Sequence, residues 1–121
     1  MANVRYMVNQ VEEAIAFYTK VLGVELTFSA APAFAEVKRG NLRLLLAGPT
    51  SSAGRPMPDG ARPGPGGWNR IHFIVHDPEV TRLRDAGAQF RNDIVERPGG
   101  KQILLQDPSG NVVGLFQPAA H

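Results

Sequence analysis

The sequence predicts an α+β domain built from two βαβββ modules. Three observations carry that prediction. The order strand, helix, strand, strand, strand reads twice along the chain. A Gly/Pro-rich stretch separates the two readings. The last quarter, Gly99 to Pro118, reads as two strands around the turn Asp107-Pro108-Ser109-Gly110-Asn111. The repeat spacing of about 65–70 residues is too long for a solenoid.

In the first module, Val4 to Val8 is a short strand. Asn9 and Glu12 then fit a capping box, with Asn9 at the N-cap and Glu12 reaching back from N3. The helix that follows carries Val11, Ala14, Ile15, Tyr18 and Leu22 on one face, with Phe17 and Val21 beside it. Gly23 is a natural stop. Three strands follow: Glu25 to Ser29, Ala33 to Lys38 and, after an Arg39-Gly40-Asn41 turn, Leu42 to Ala47.

Residues 49–67 form a linker so dense in Gly and Pro that no regular element is expected in it. A loop of that length in a small domain reads as a lid, a linker or both.

The second module opens with a strand from Arg70 to His76. Asp77 at the N-cap and Pro78 at N1 start a short helix, with Val80, Leu83 and Ala86 as its buried stripe and Gly87 ending it. Ala88 to Asn92 and Ile94 to Arg97 supply one weak strand. Lys101 to Gln106 and Val112 to Gln117 are the closing hairpin, turned by Pro, Gly and the side chains of Asp107 and Asn111. The expected organisation is therefore one domain over 1–121, with module one at 1–48 and module two at 68–118.

The 121 residues are enough to bury a real core. With 43% apolar and 20% charged residues, the chain has a soluble globular composition. No apolar run is long enough to span a membrane. No secretory signal pattern opens the chain, so a cytoplasmic location is the default expectation. The absence of cysteine excludes disulfides and thiolate chemistry. A net charge of +2, spread without basic runs, argues against nucleic acid as a partner. No P-loop, dinucleotide fingerprint or Ser-His-Asp arrangement is present.

The doubled module, with AIAFYTKVLG after the first strand and DPSGN before the last, resembles the vicinal oxygen chelate superfamily. That group includes glyoxalases, extradiol dioxygenases and bleomycin resistance proteins. The resemblance covers nearly the whole chain. It implies a curved mixed β-sheet cup with helices packed outside, and a homodimer. Whether the modules pair within a chain or across a dimer stays open. Catalytic members hold a divalent metal (Zn, Ni, Mn or Fe) that acts as a Lewis acid on vicinal oxygens. Carried over residue by residue, the three usual ligand positions fall at Asn3, Arg70 and Gly114. None offers a usual ligand, and an Arg cation repels a metal ion. The resemblance therefore supports the fold and argues against a metal cofactor.

What remains for chemistry is read from strand parity. On the expected second-module strand, Arg70, His72, Ile74 and His76 share a face. His72 and His76 lie ~13 Å apart, too far to share one metal. His76 reads as an exposed strand end. His72 is either a structural histidine or a ligand contact, and it is the candidate general base. Arg5, Glu36, Arg43, Arg70, His72, Gln102, Gln106 and Phe116 are candidates for lining the cup. Its net positive charge suits a carboxylate or phosphate. The alternative for Arg5 and Arg43 is that they face solvent or pair with acids. Trp68 either stacks on a ligand at the mouth or covers a core edge or dimer contact, with Phe34 and Met57 as weaker candidates for that wall. The expected function is a metal-independent small-molecule binding protein, with an anionic or aromatic ligand and no membrane partner. The alternative is a lyase, isomerase or dioxygenase of the same superfamily, using a divalent metal or metal-free acid–base chemistry through His72.

Overall fold

Alternating burial along the strands sets the architecture. In the computed structural model, which describes residues 2–119, the chain divides into two compact units. One runs to Gly66 and includes Pro108–Gly110; the other is Gly67–Asp107 continued from Asn111. Each holds an open mixed sheet, so the protein is α+β.

The first unit contains β1 (Ala2–Met7), α1 (Val11–Ala16), β2 (Glu25–Ala30), β3 (Phe34–Arg39) and β4 (Leu42–Ala47). Its sheet has the order β1-β4-β3-β2, with β1 and β4 parallel and the other pairs antiparallel. Ala35 and Val37 on β3 and Leu44 and Leu46 on β4 are buried on one face. Helix α1 packs there, contributing Val11 and Ala14. Removing either leucine side chain to Ala costs about 2–5 kcal/mol by the cavity it leaves.

The capping box does not form. Gln10, not Asn9, is the N-cap, and no side chain caps the helix. The Asn9 amide instead donates to Ser109 Oγ at 2.8 Å, which holds it outside the helix. Nor does the helix run uniformly to Leu22. From Phe17 to Val21 it widens into a π-helical turn, closed by Leu22 N–H on Phe17 O at 3.1 Å. Thr19 Oγ1 donates back to Ile15 O at 2.7 Å, a competing bond that favours such distortion. In this wider turn the consecutive Phe17 and Tyr18 are both buried, their rings edge to face at 5.0 Å. Gly23, at φ 72°, ends the helix as expected.

The linker is irregular except for one short 3-10 turn, Ser52–Gly54, which the Gly/Pro density had argued against. A bond from Ser51 Oγ to Gly48 O at 2.7 Å stabilises its approach.

The second unit contains β5 (Ile71–Ile74), α2 (Val80–Asp85), β6 (Gln89–Phe90), β7 (Val95–Arg97), β8 (Gly100–Gln106) and β9 (Val112–Pro118). The order is β5-β9-β8-β6, with β7 also on β8. Phe73, Ile103, Leu105, Val113 and Leu115 form its buried face. Strand β5 is shorter than expected, so Arg70 and His76 lie outside it. Helix α2 starts later too. Asp77 Oδ1 accepts from Glu79 N–H at 2.9 Å, a local turn that replaces the N-cap role, and Glu79 itself is the N-cap at φ 52°. On the helix only Leu83 is buried, and Ala86 is exposed. The single weak strand is two. Between them Asn92 Oδ1 takes the Leu104 amide at 2.9 Å, substituting a side chain for a backbone rung.

The closing hairpin turns on two buried side chains. Asp107 Oδ1 accepts Asn111 N–H, and Asp107 Oδ2 accepts Asn111 Nδ2, both at 2.9 Å.

Candidate functional site

Each sheet has one face away from its buried core, and the candidate residues sort onto these faces. In the first unit the register places Arg5 beside Leu45, and Leu45 beside Glu36. The next row holds Asn3, Arg43 and Lys38. Alternation therefore puts Arg5, Glu36, Arg43 and Lys38 on one face. Glu36 Oε2 lies 3.5 Å from Arg43 Nε. Thr27 Oγ1 is 3.2 Å from the same carboxylate oxygen and 3.1 Å from Glu36 O, so its one proton is divided between them. Arg5 is exposed and makes no ion pair among the described residues.

A bulge between Leu26 and Phe28 turns these two β2 residues to opposite faces. Phe28 lands opposite Glu36, 52% exposed, with its ring 6.1 Å from that of Phe34. Parity alone misses Phe28, because a bulge leaves no mark in a sequence pattern of period two.

In the second unit the open face is organised around Gly114. The β5–β9 register places His72 opposite Gly114 and Ile74 opposite Phe116, while Gln102 on β8 is also opposite Phe116. With no side chain at 114, His72 stacks on Phe116, ring centroids 5.4 Å apart and planes 8° apart. A Cβ at 114 would sit 2.9 Å from His72 Cβ. Ile74, 62% exposed, extends this apolar surface and was not among the expected lining residues.

Trp68 precedes β5 and is 72% exposed. The Arg91 guanidinium lies 4.6 Å above its ring, a cation–π contact no sequence spacing announces. Arg70, Met57 and His76 are exposed. Two depressions, of about 310 and 370 Å³, lie elsewhere, and neither is lined by a candidate residue.

The donor positions suggested by the resemblance do not suit a divalent metal. Gly114 has no side chain, Arg70 is a cation, and Asn3 is an amide. Among the described residues no group of three His, Cys, Asp or Glu could hold a metal ion. Among the described residues no helix is long and apolar enough to cross a membrane.

A family model described as Glyoxalase/Bleomycin resistance protein/Dioxygenase superfamily matches residues 1–115. Among solved structures, a superfamily member from Sphaerobacter thermophilus DSM 20745 is 25% identical, with TM-score 0.76, covering 97% of this chain and 95% of that one. TnmS3, an antibiotic binding protein from Streptomyces sp. CB03234, is 25% identical with TM-score 0.71, covering 97% and 93%. Lactoylglutathione lyase from Agrobacterium tumefaciens is 22% identical with TM-score 0.75, covering 97% and 92%. No curated protein matches with significance.

Proposed function

The chain belongs to the glyoxalase/bleomycin resistance protein/dioxygenase superfamily, and from that premise we propose that it is a small-molecule binding protein that holds its ligand without a resident metal. Members of this superfamily often bind divalent metals, so the reading turns on what this chain has at the ligand positions. The observation that carries it is the arrangement around Gly114. Where a carboxylate would be needed there is no side chain, and His72 stands too close for one to be added without movement. In its place the face offers the paired rings of His72 and Phe116 beside exposed Ile74 and the Gln102 amide.

Such a surface recognises a flat, partly apolar molecule. Stacking on the two parallel rings fixes its plane, and the Gln102 amide gives and takes one hydrogen bond at its edge. Trp68 and Arg91 offer a second aromatic surface with a cation already on it. The similarity to an antibiotic binding protein supports an antibiotic-like ligand. The reading also takes the protein as a homodimer, and it is supported by the outer strand β2, whose six residues are all exposed, Leu26 and Phe28 among them.

Elemental analysis after incubation with Ni, Zn, Mn and Fe(II) and dialysis is the first test. No retained metal is expected, and a thermal-shift screen of aromatic compounds and antibiotics should then find a stabilising ligand. About one metal per chain, lost on substitution of His72, would overturn the metal-independent reading.

A further inference from the structure

The first sheet's open face carries more positive charge than its own acids neutralise. Arg43 and Lys38 are direct cross-strand partners on β4 and β3, two like charges side by side. Such pairs are unfavourable in a sheet unless something else uses them. Arg5 stands on the same face, opposite Leu45, two residues along β4 from Arg43. Against these three cations the face has two carboxylates. Glu25 is opposite Lys38, yet no ion pair forms between them among the described residues. Glu36 is the one acid at Arg43, and it is already shared with Thr27.

Arg43 itself is incompletely satisfied. Its Nε is shielded from solvent and has no hydrogen-bond partner, because Glu36 at 3.5 Å stands outside bonding geometry. A donor desolvated and left unmade is costly, and an acceptor brought by a ligand relieves that cost. Planar Arg suits a two-oxygen acceptor, and Lys a point charge beside it.

We infer that Arg43, Lys38 and Arg5 form an anion subsite for a carboxylate or phosphate group of a small molecule, with Glu36 and Thr27 as positioning residues that hold the Arg43 side chain. The inference rests on the small-molecule-binding reading and gives the first unit's open face an anionic class of ligand. On binding, the anion meets the part-exposed Arg43 side chain and is flanked by the two remaining cations.

The test reads the Arg43 Nε–Hε resonance of the isotope-labelled full chain during titration with inorganic phosphate, with naphthoate, and with neutral naphthamide. Phosphate or naphthoate is expected to move it saturably, and naphthamide is not. Which of the two anions moves it further distinguishes a phosphate from a carboxylate site. By calorimetry naphthoate should bind about tenfold tighter than naphthamide. That advantage should vanish in Arg43→Gln and shrink in Arg43→Lys, which keeps the charge but not the fork. Arg5→Gln and Lys38→Gln make the same comparison should the Arg43 variants fail to fold. An unmoved Arg43 resonance with both anions overturns the inference. Equal binding of naphthoate and naphthamide to the unsubstituted protein overturns it too, while the binding-protein reading stands. If neither naphthyl compound binds but phosphate still moves Arg43, the anion subsite stands and the aromatic reading fails.

Discussion

The imidazole of His72 lies parallel to the ring of Phe116, 5.4 Å away, beside the one strand position that has no side chain between them, Gly114. The two rings belong to neighbouring parallel strands and are two register positions apart, on the same face. A Cβ at 114 would stand 2.9 Å from His72 Cβ and 3.5 Å from Leu104 Cδ2.

Gly114→Ala should therefore destabilise the protein by about 1–3 kcal/mol, the usual cost of overpacking. The atom in the way is His72 Cβ, not its ring. The cost should persist in a His72→Ala background and fall in a His72→Gly background. Urea unfolding of the three single and two double variants measures this. Equal costs in the Ala and Gly backgrounds would show that the crowding arises elsewhere.

Breaking the hairpin turn should cost more than a surface substitution. Asp107 and Asn111 are both buried, and each satisfies polar atoms of the other. Asn111→Ala removes the amide that donates to Asp107 Oδ2, and about 1–3 kcal/mol is expected. Asp107→Ala leaves Asn111 N–H and Nδ2 short of these acceptors, with a similar loss. Chemical denaturation of each variant is the check, and a change below half a unit on that scale would speak against the pairing.

Glu79 is the only non-glycine residue described at positive φ. Left-handed backbone costs an L-residue about 1–2 kcal/mol. Glu79→Gly should raise the melting temperature, even though it removes an exposed pair with Arg82 at 3.2 Å. Glu79→Val should lower it. A melting temperature that falls for both would assign the carboxylate a larger part than its exposure suggests.

Trp68 is the sole tryptophan, so emission reports on one place. With the ring largely exposed and Arg91 above it, iodide should quench strongly, drawn by the cation. Arg91→Gln should lower iodide quenching and leave neutral acrylamide quenching nearly unchanged. A ligand seated on the indole should protect it from both quenchers.

Much of the fold was legible because its signals are local. The hairpin strands fall within one residue of their expected ends, since alternation along Lys101–Gln106 and the turn residues lie side by side in sequence. Helix α1 begins later than expected because Asn9 bonds Ser109, a partner 100 residues away. Asn92 breaks the weak strand by reaching across to Leu104, a choice made by the paired strand and not by its own neighbours. The common face of Arg5, Glu36 and Arg43 follows from a period of two. Phe28, displaced by a bulge, and Arg91, brought to Trp68 by the fold, carry no such signature.

The bond from Asn9 to Ser109 has a consequence for anyone dividing the protein. Pro108–Gly110 groups with the first unit, although residues 67–107 separate it from that unit's end at Gly66. The first unit is thus discontinuous in sequence. A fragment that stops at Gly66 lacks one of its own pieces, so supplying a short peptide that contains Ser109 is the natural way to ask whether such a fragment can be made whole.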